Sequence, residues 1–219
     1  QKAMEQVSLI KQTNNQYGYS MSFMFINRRL NYLGLTDHQF SLGVSQQTQE
    51  QNGGMGIIGS EEQCLKNLRE SNSLSGLGVY YKEKMYIHYL YDDYAKALDY
   101  LAVSDKYLKY HAGTPYVVEC RICNFLVVAA NLAGMKGEVR KKAIQRLKRE
   151  YKYVKAWSNY CPENFQHLQY LLQAELARIE EKKDQALQYY ELAAETAFFG
   201  MKRWSMNWPP TVVKPSNNR

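Results

Sequence analysis

One stretch, Ala156 to Ala197, narrows the folds open to this chain more than any other. Pro162 suits the first turn of a helix, where its missing N–H would have had no partner. Phe165, Leu168, Leu172, Leu176 and Ile179 then follow at steps of three or four, which is one amphipathic helix. Glu180 to Lys183 is a charged break, after which Ala186, Leu187, Tyr190, Ala193, Ala194 and Ala197 mark the apolar face of a second helix. So short a link folds the two helices back on each other. Ala174, Ala186 and Ala193 are small where the antiparallel pair would approach most closely.

The same spacing recurs upstream. Met85, Ala97 and Ser104 stand twelve and seven apart, as Ala174, Ala186 and Ala193 do, and the two sets are 89 residues apart. One further hairpin of slightly over forty residues fits between them: a helix over Tyr116 to Ala133, a turn from Gly134 to Gly137, and a helix over Glu138 to Tyr160. The small-residue spacing is that of a tetratricopeptide-like hairpin. It predicts an all-α fold, an alpha-alpha superhelix of about four long helical hairpins plus a leading half-repeat carried by Ala3, Met4, Val7, Leu9 and Ile10. Residues 1–200 read as one such domain and 201–219 as an extended polar tail. Other expected helices run from Tyr17 to Leu33, ended by Gly34, from Glu61 to Glu70 behind a Ser60/Gln63 capping box, from Leu74 to Tyr91, and from Tyr94 to Tyr110 after an Asp92-Asp93 turn.

The irregular part is 38–59, rich in Gln, Ser and Gly, which reads as a flexible inter-helix loop. Gly54, Gly56 and Gly59 form a G-x-G-x-x-G. A dinucleotide site needs a buried strand directly before those glycines, and Gln46 to Asn52 is none.

Composition excludes a disordered chain: of 219 residues 45% are hydrophobic and 22% charged, with only 5 prolines. Nineteen tyrosines supply large apolar bodies with polar tips, suited to half-buried helix faces and contact surfaces. The most apolar run, Asn124 to Met135, is too short to span a membrane, and four cysteines without disulfide-style spacing point to a reducing, cytoplasmic setting. The start at Gln1, without an apolar signal core, reads as a segment of something longer.

The net charge of +7 equals that of residues 136–155 alone, which hold nine basic and two acidic residues. On a helix Ala143, Ile144, Leu147, Tyr151 and Val154 share one face, while Arg140, Lys141, Lys148, Arg149, Lys152 and Lys155 form a basic face. That face is read first as solvated, then as a site for an acidic protein and last for nucleic acid. Cys120 and Cys123 form a C-x-x-C within a helix, without a second pair, and read as core residues; Cys161 stands at the N-cap of the Pro162 helix. His38, His88, His111 and His167 are dispersed, and no catalytic, cofactor or metal set can be assembled. Candidates for a partner-binding groove are the polar or amphipathic positions of the first helices, Tyr81, Tyr89, Asn124, Asn131, Gln166 and Gln173.

Trp157, Pro162, Asn164, Phe165 and His167, continuing through Tyr170, Leu172, Ala174 and Glu175, resemble the long helical-repeat region of large microbial signalling ATPases. Tyr89 to Tyr107 is similar to an earlier repeat of that region. In that family a kinase-like domain and an AAA or NACHT-type ATPase precede the repeats, and a GAF–histidine kinase or cyclase can follow. The resemblance covers about Ser60 to Ala197 and implies a regulatory segment that contacts proteins or neighbouring domains. No phosphate loop and no kinase triplet of those neighbours is present, and after Phe199 the chain departs from the repeat pattern. The expected function is therefore a non-catalytic scaffold or relay. The alternative is an autonomous adaptor whose basic helix binds acidic proteins or nucleic acid.

Overall fold

The structure, a computed structural model, describes residues 15–51, 53, 56–57 and 59–201. Among them it is all-helical: α1 (Gln16–Tyr32), α2 (Gln46–Gln51), α3 (Glu61–Glu70), α4 (Leu74–Leu90), α5 (Tyr94–Ser104), α6 (Tyr116–Asn131), α7 (Gly137–Tyr160), α8 (Pro162–Ile179) and α9 (Lys183–Met201). The expected half-repeat over the first residues, and the tail beyond Met201, lie outside the described residues. The chain divides into two compact units, 1–120 and 121–219.

In the first unit α1 is started by Asn15, whose side chain accepts from the Gly18 N–H at 2.8 Å. It ends in a left-handed Gly34 (φ 73°), where Leu35 and Gly34 donate back to Leu30 and Asn31. Three further helices end the same way with a non-glycine residue in the left-handed position: Asn72 after α3, Asp92 after α4 and Glu181 after α8. The expected equivalence of the turns at Asp92 and Glu181 is thus a shared hydrogen-bond pattern. Ser60 accepts from Gln63 N at 3.1 Å, but the Gln63 amide turns to Asn67, so only half of the capping box forms.

Two expectations are corrected here. The segment 38–59 is not a free loop. It contains α2 and an antiparallel bridge between Val44 and Gly59, and Leu42, Val44 and Ile57 are core residues. Asn27 on α1, 0% exposed, holds it there by donating to the Leu42 and Ile57 carbonyls (3.0 and 2.8 Å) and accepting from Ile57 N (2.9 Å). Asn31 donates to the Gln39 and Ser41 carbonyls. Two asparagines thus do for this backbone what a neighbouring strand would do. Gly56 is required at φ 95°, since a Cβ there would lie 2.4 Å from Leu30 Cδ1. The second correction is that the helix starting at Tyr94 stops being α at Ser104, whose hydroxyl takes the Leu101 carbonyl; Asp105–His111 continues as a tighter 3-10 helix.

The small-residue spacing marks buried positions in both units. Met85, Ala97 and Ser104 are buried in the first, with Ser104 Oγ 4.0 Å from Met85 Sδ, and Ala174, Ala186 and Ala193 in the second. In the second unit α8 packs against both α7 and α9, and Leu147, Val154 and Leu172 are fully enclosed, each worth about 2 kcal/mol of transfer free energy. The apolar run is longer than the sequence suggested. Tyr116–Gly134 is one helical stretch long and apolar enough to cross a membrane by length and composition. Within the fold every residue from Ile122 to Ala129 is buried, so the middle of this helix is enclosed on all sides.

Candidate functional site

α4 places three consecutive charged residues, Lys82, Glu83 and Lys84, in the interior of the first unit. Leu77, Val79, Tyr80, Met85, Tyr86 and Ile87 around them are buried too, so the helix has no solvent face to which the charges could be assigned. Burial of charge demands partners. Glu83, 0% exposed, accepts through one oxygen from Arg28 (2.8 Å), Lys82 (3.2 Å) and the Tyr116 hydroxyl (3.4 Å); its other oxygen has no hydrogen-bond partner among the described residues. Glu119 closes the set, 2.8 Å from Lys82 Nζ and 3.4 Å from Arg28. Two cations meet two carboxylates, so the cluster is neutral. Lys82 Nζ also lies 4.8 Å over the Tyr116 ring. Lys84 pairs with Glu61 at 3.0 Å and donates to the Phe40 carbonyl, while Glu61 accepts from Tyr80 OH and Leu42 N.

Burial opposes the charge of Arg28, but Glu83 and Glu119 outweigh it and hold the guanidinium above its ordinary value. Burial likewise pushes Glu119 up, yet Lys82 and then Arg28 prevail and its carboxyl is held below the usual range. Such a carboxylate stays ionised and is a poor general acid near neutral pH. The phenols of Tyr32 and Tyr116 are raised by burial and stay protonated. Sequence reading missed this cluster. The available signal was a Lys-Glu-Lys triplet within a helix that is apolar on every side.

Beside the cluster runs a strip of aromatic rings. Phe40 stacks on His88 at 4.6 Å; His88 meets Tyr100 at 5.2 Å, Tyr100 meets Tyr81 at 6.4 Å, and Tyr81 stacks on Tyr107 at 6.0 Å. Apart from His88 these rings are half-buried. Arg69 donates to Tyr81 OH at 3.4 Å and Lys96 lies 5.8 Å over Tyr100. His88 Nδ1 is 2.9 Å from Asp93, and that hydrogen bond is the main cause of a lowered Asp93 carboxyl. Tyr81, a candidate groove residue, sits in the strip; Tyr89 faces Tyr86 and Tyr94 instead.

The remaining groove candidates belong to the second unit. Asn124 is 3% exposed in the enclosed part of α6 and cannot line a surface, a correction that follows from the burial of every residue from Ile122 to Ala129. Asn131 donates to the Val127 carbonyl of its own helix and Gln166 to Tyr170 OH. Gln173 lines a shallow cavity of about 180 Å³ with Tyr151 of α7, Leu176, Ala177 and Glu180 of the α8 end, and Gln185 and Tyr189 of α9. Tyr151 also hydrogen-bonds Gln169.

α7 buries Ala143, Leu147, Glu150, Val154 and Ser158 and turns Lys141, Lys148, Arg149, Lys152 and Lys155 outward. Arg140 leaves the expected basic face: it is half-buried and donates to the Leu132 carbonyl at 2.7 Å, beside the Met135 N–H that the same carbonyl already accepts. Glu150, buried, pairs with Arg121 of α6 at 2.6 Å, and the Arg121 guanidinium lies 3.9 Å over the exposed Tyr153 ring. Lys141, Lys148, Lys152 and Lys155 stand in no ion pair among the described residues.

Cys64, Cys120 and Cys123 are buried, and burial pushes the Cys64 and Cys120 thiols up to about 12; Cys161, at the α8 N-cap, is half-buried. His111 and His167 are both lowered by burial, His111 also by Lys82. Among the described residues no group of three or more His, Cys, Asp or Glu is placed to hold a metal ion. No family model, curated protein or solved structure matches the chain.

Proposed function

We propose that this chain is a non-catalytic contact module, a helical-repeat scaffold or relay that joins proteins or neighbouring domains of a larger cytoplasmic signalling ATPase or kinase. The observation that carries the reading is the aromatic strip of Phe40, Tyr100, Tyr81 and Tyr107. Half-exposed rings, pinned by their neighbours, offer large amphipathic contact area at low cost in side-chain entropy. The Trp157 to His167 resemblance supports the signalling context. The test uses the immobilised chain as bait for native extract, beside a Tyr81→Ser/Tyr107→Ser variant, with elution in a salt gradient. Flanking ATPase or kinase domains retained to high salt by the parent, and lost by the variant, are the expected result. Capture that is the same for both sinks the reading.

A second reading rests on α7. Its outward lysines make no ion pair among the described residues, so the helix suits an acidic protein surface, and less well nucleic acid, since of its exposed rings, Tyr153 and Tyr160, only Tyr153 stands between the charges. Partners held this way leave the bait at moderate salt.

A further inference from the structure

α7 and α9 are equivalent helices 43 residues apart. Ala143 and Ala186 are both buried, as are Glu150 and Ala193. The outward positions of the same register are Lys141, Gln145, Lys148 and Lys152 on α7 and Asp184, Gln188, Glu191 and Glu195 on α9, and all eight are exposed. Lys141, Lys148 and Lys152 therefore each have an acid at the same level on α9, with a glutamine opposite a glutamine, while the exposed Lys142, Arg149 and Lys155 stand level with Gln185, Leu192 and Phe198. The matched stripe extends about 16 Å along each axis. Both helices are joined to α8 by short turns and run antiparallel to it, so they run parallel to each other. Tyr151 of α7 and Gln185 and Tyr189 of α9 flank one shallow cavity over the end of α8, against which both helices pack.

We propose that this surface is a self-complementary dimer interface, in which a two-fold axis along the helices lays α7 of one copy against α9 of the other. Lys141 then faces Asp184, Lys148 faces Glu191 and Lys152 faces Glu195. The symmetry repeats all three pairs on the other side of the axis. Parallel alignment is what the equal spacing, seven residues and then four, requires. Leu187 of α9, 60% exposed, flanks the acidic stripe and supplies apolar contact at its edge. Exposed ion pairs are individually weak and are screened by salt, so the dimer forms at high concentration and low ionic strength. The inference rests on the second reading above, that α7 recognises an acidic protein surface, and names a second copy of this chain as that surface.

Sedimentation of the full chain at about 200 μM, in about 50 mM and about 500 mM NaCl, tests it. The expected result is twice the 25.5 kDa chain mass at low salt and the single chain at high salt. Lys148→Glu/Lys152→Glu and Glu191→Lys/Glu195→Lys each weaken the dimer at least tenfold. An equimolar mixture of the two variants restores it, as does the fourfold variant carrying both reversals. A 25.5 kDa species under all conditions overturns the proposal, leaving the acidic stripe to the tail of residues 202–219, whose four charged residues are all basic, or to no partner. A dimer indifferent to both reversals overturns it as well. If the chain stays monomeric while α7 still captures a foreign acidic protein at low salt, the dimer fails and the basic-face reading stands.

Discussion

Replacing Arg28 with alanine would leave the buried carboxylate of Glu83 and the half-buried one of Glu119 facing Lys82 alone, one negative charge in excess. Removing one partner from a buried ionic set typically costs about 3–5 kcal/mol, and that loss is expected in urea unfolding of Arg28→Ala. Adding Glu119→Gln restores neutrality, so the double variant should lose less than the two single losses added together. Gly78 gives a second residue-scale expectation of unusual sign. Alanine in a helix interior ordinarily gains about 1 kcal/mol over glycine. Here its Cβ would meet His111 Nε2 at 2.5 Å and Tyr107 Cβ at 2.9 Å, so Gly78→Ala should lower the melting temperature.

At the scale of elements, helix ends carry a shared device. Glu181, at φ 60°, occupies a position that glycine adopts without steric cost, and among the described residues its side chain has no hydrogen-bond partner. Glu181→Gly is therefore expected to stabilise the α8–α9 hairpin by up to about 1 kcal/mol, read as a rise in melting temperature. Asp92→Gly gains less, because the Asp92 carboxylate accepts from Tyr94 OH at 2.8 Å. That hairpin was legible because its determinants are local: Pro162, the charged turn and the three small residues all lie within forty residues. The segment 38–59 was not, since what orders it is Asn27 and Asn31, side chains of a distant helix that by type alone read as surface polar groups. The Lys82-Glu83-Lys84 triplet failed for the same reason, as charge in a sequence signals exposure unless its partners are known. Asn124 reads as a surface group by its polarity, yet it stands in the stretch Ile122 to Ala129, where every residue is buried.

Across the whole molecule, acid should act in two windows. His111 in the first unit and His167 in the second are held below the ordinary 6.5, so below that pH the unfolded chain binds protons that the folded chain refuses. Stability then falls with pH by up to about 1.4 kcal/mol per pH unit for each proton. The lowered Glu119 adds a contribution that is complete above 4.5 and is lost as pH falls from there through its folded value. Urea midpoints between pH 7.5 and 5 should decline, and His167→Gln should flatten the decline in the second unit alone. The cysteines supply a means of following such openings without any added probe. Cys64 and Cys120 are enclosed and held as thiols, whereas Cys161 is half-buried at a helix start. A disulfide reagent should therefore modify one sulfur promptly and the enclosed ones only as their surroundings breathe. The slow phases of that reaction are a clock built into the chain, and their rates give the frequency with which its interior comes apart.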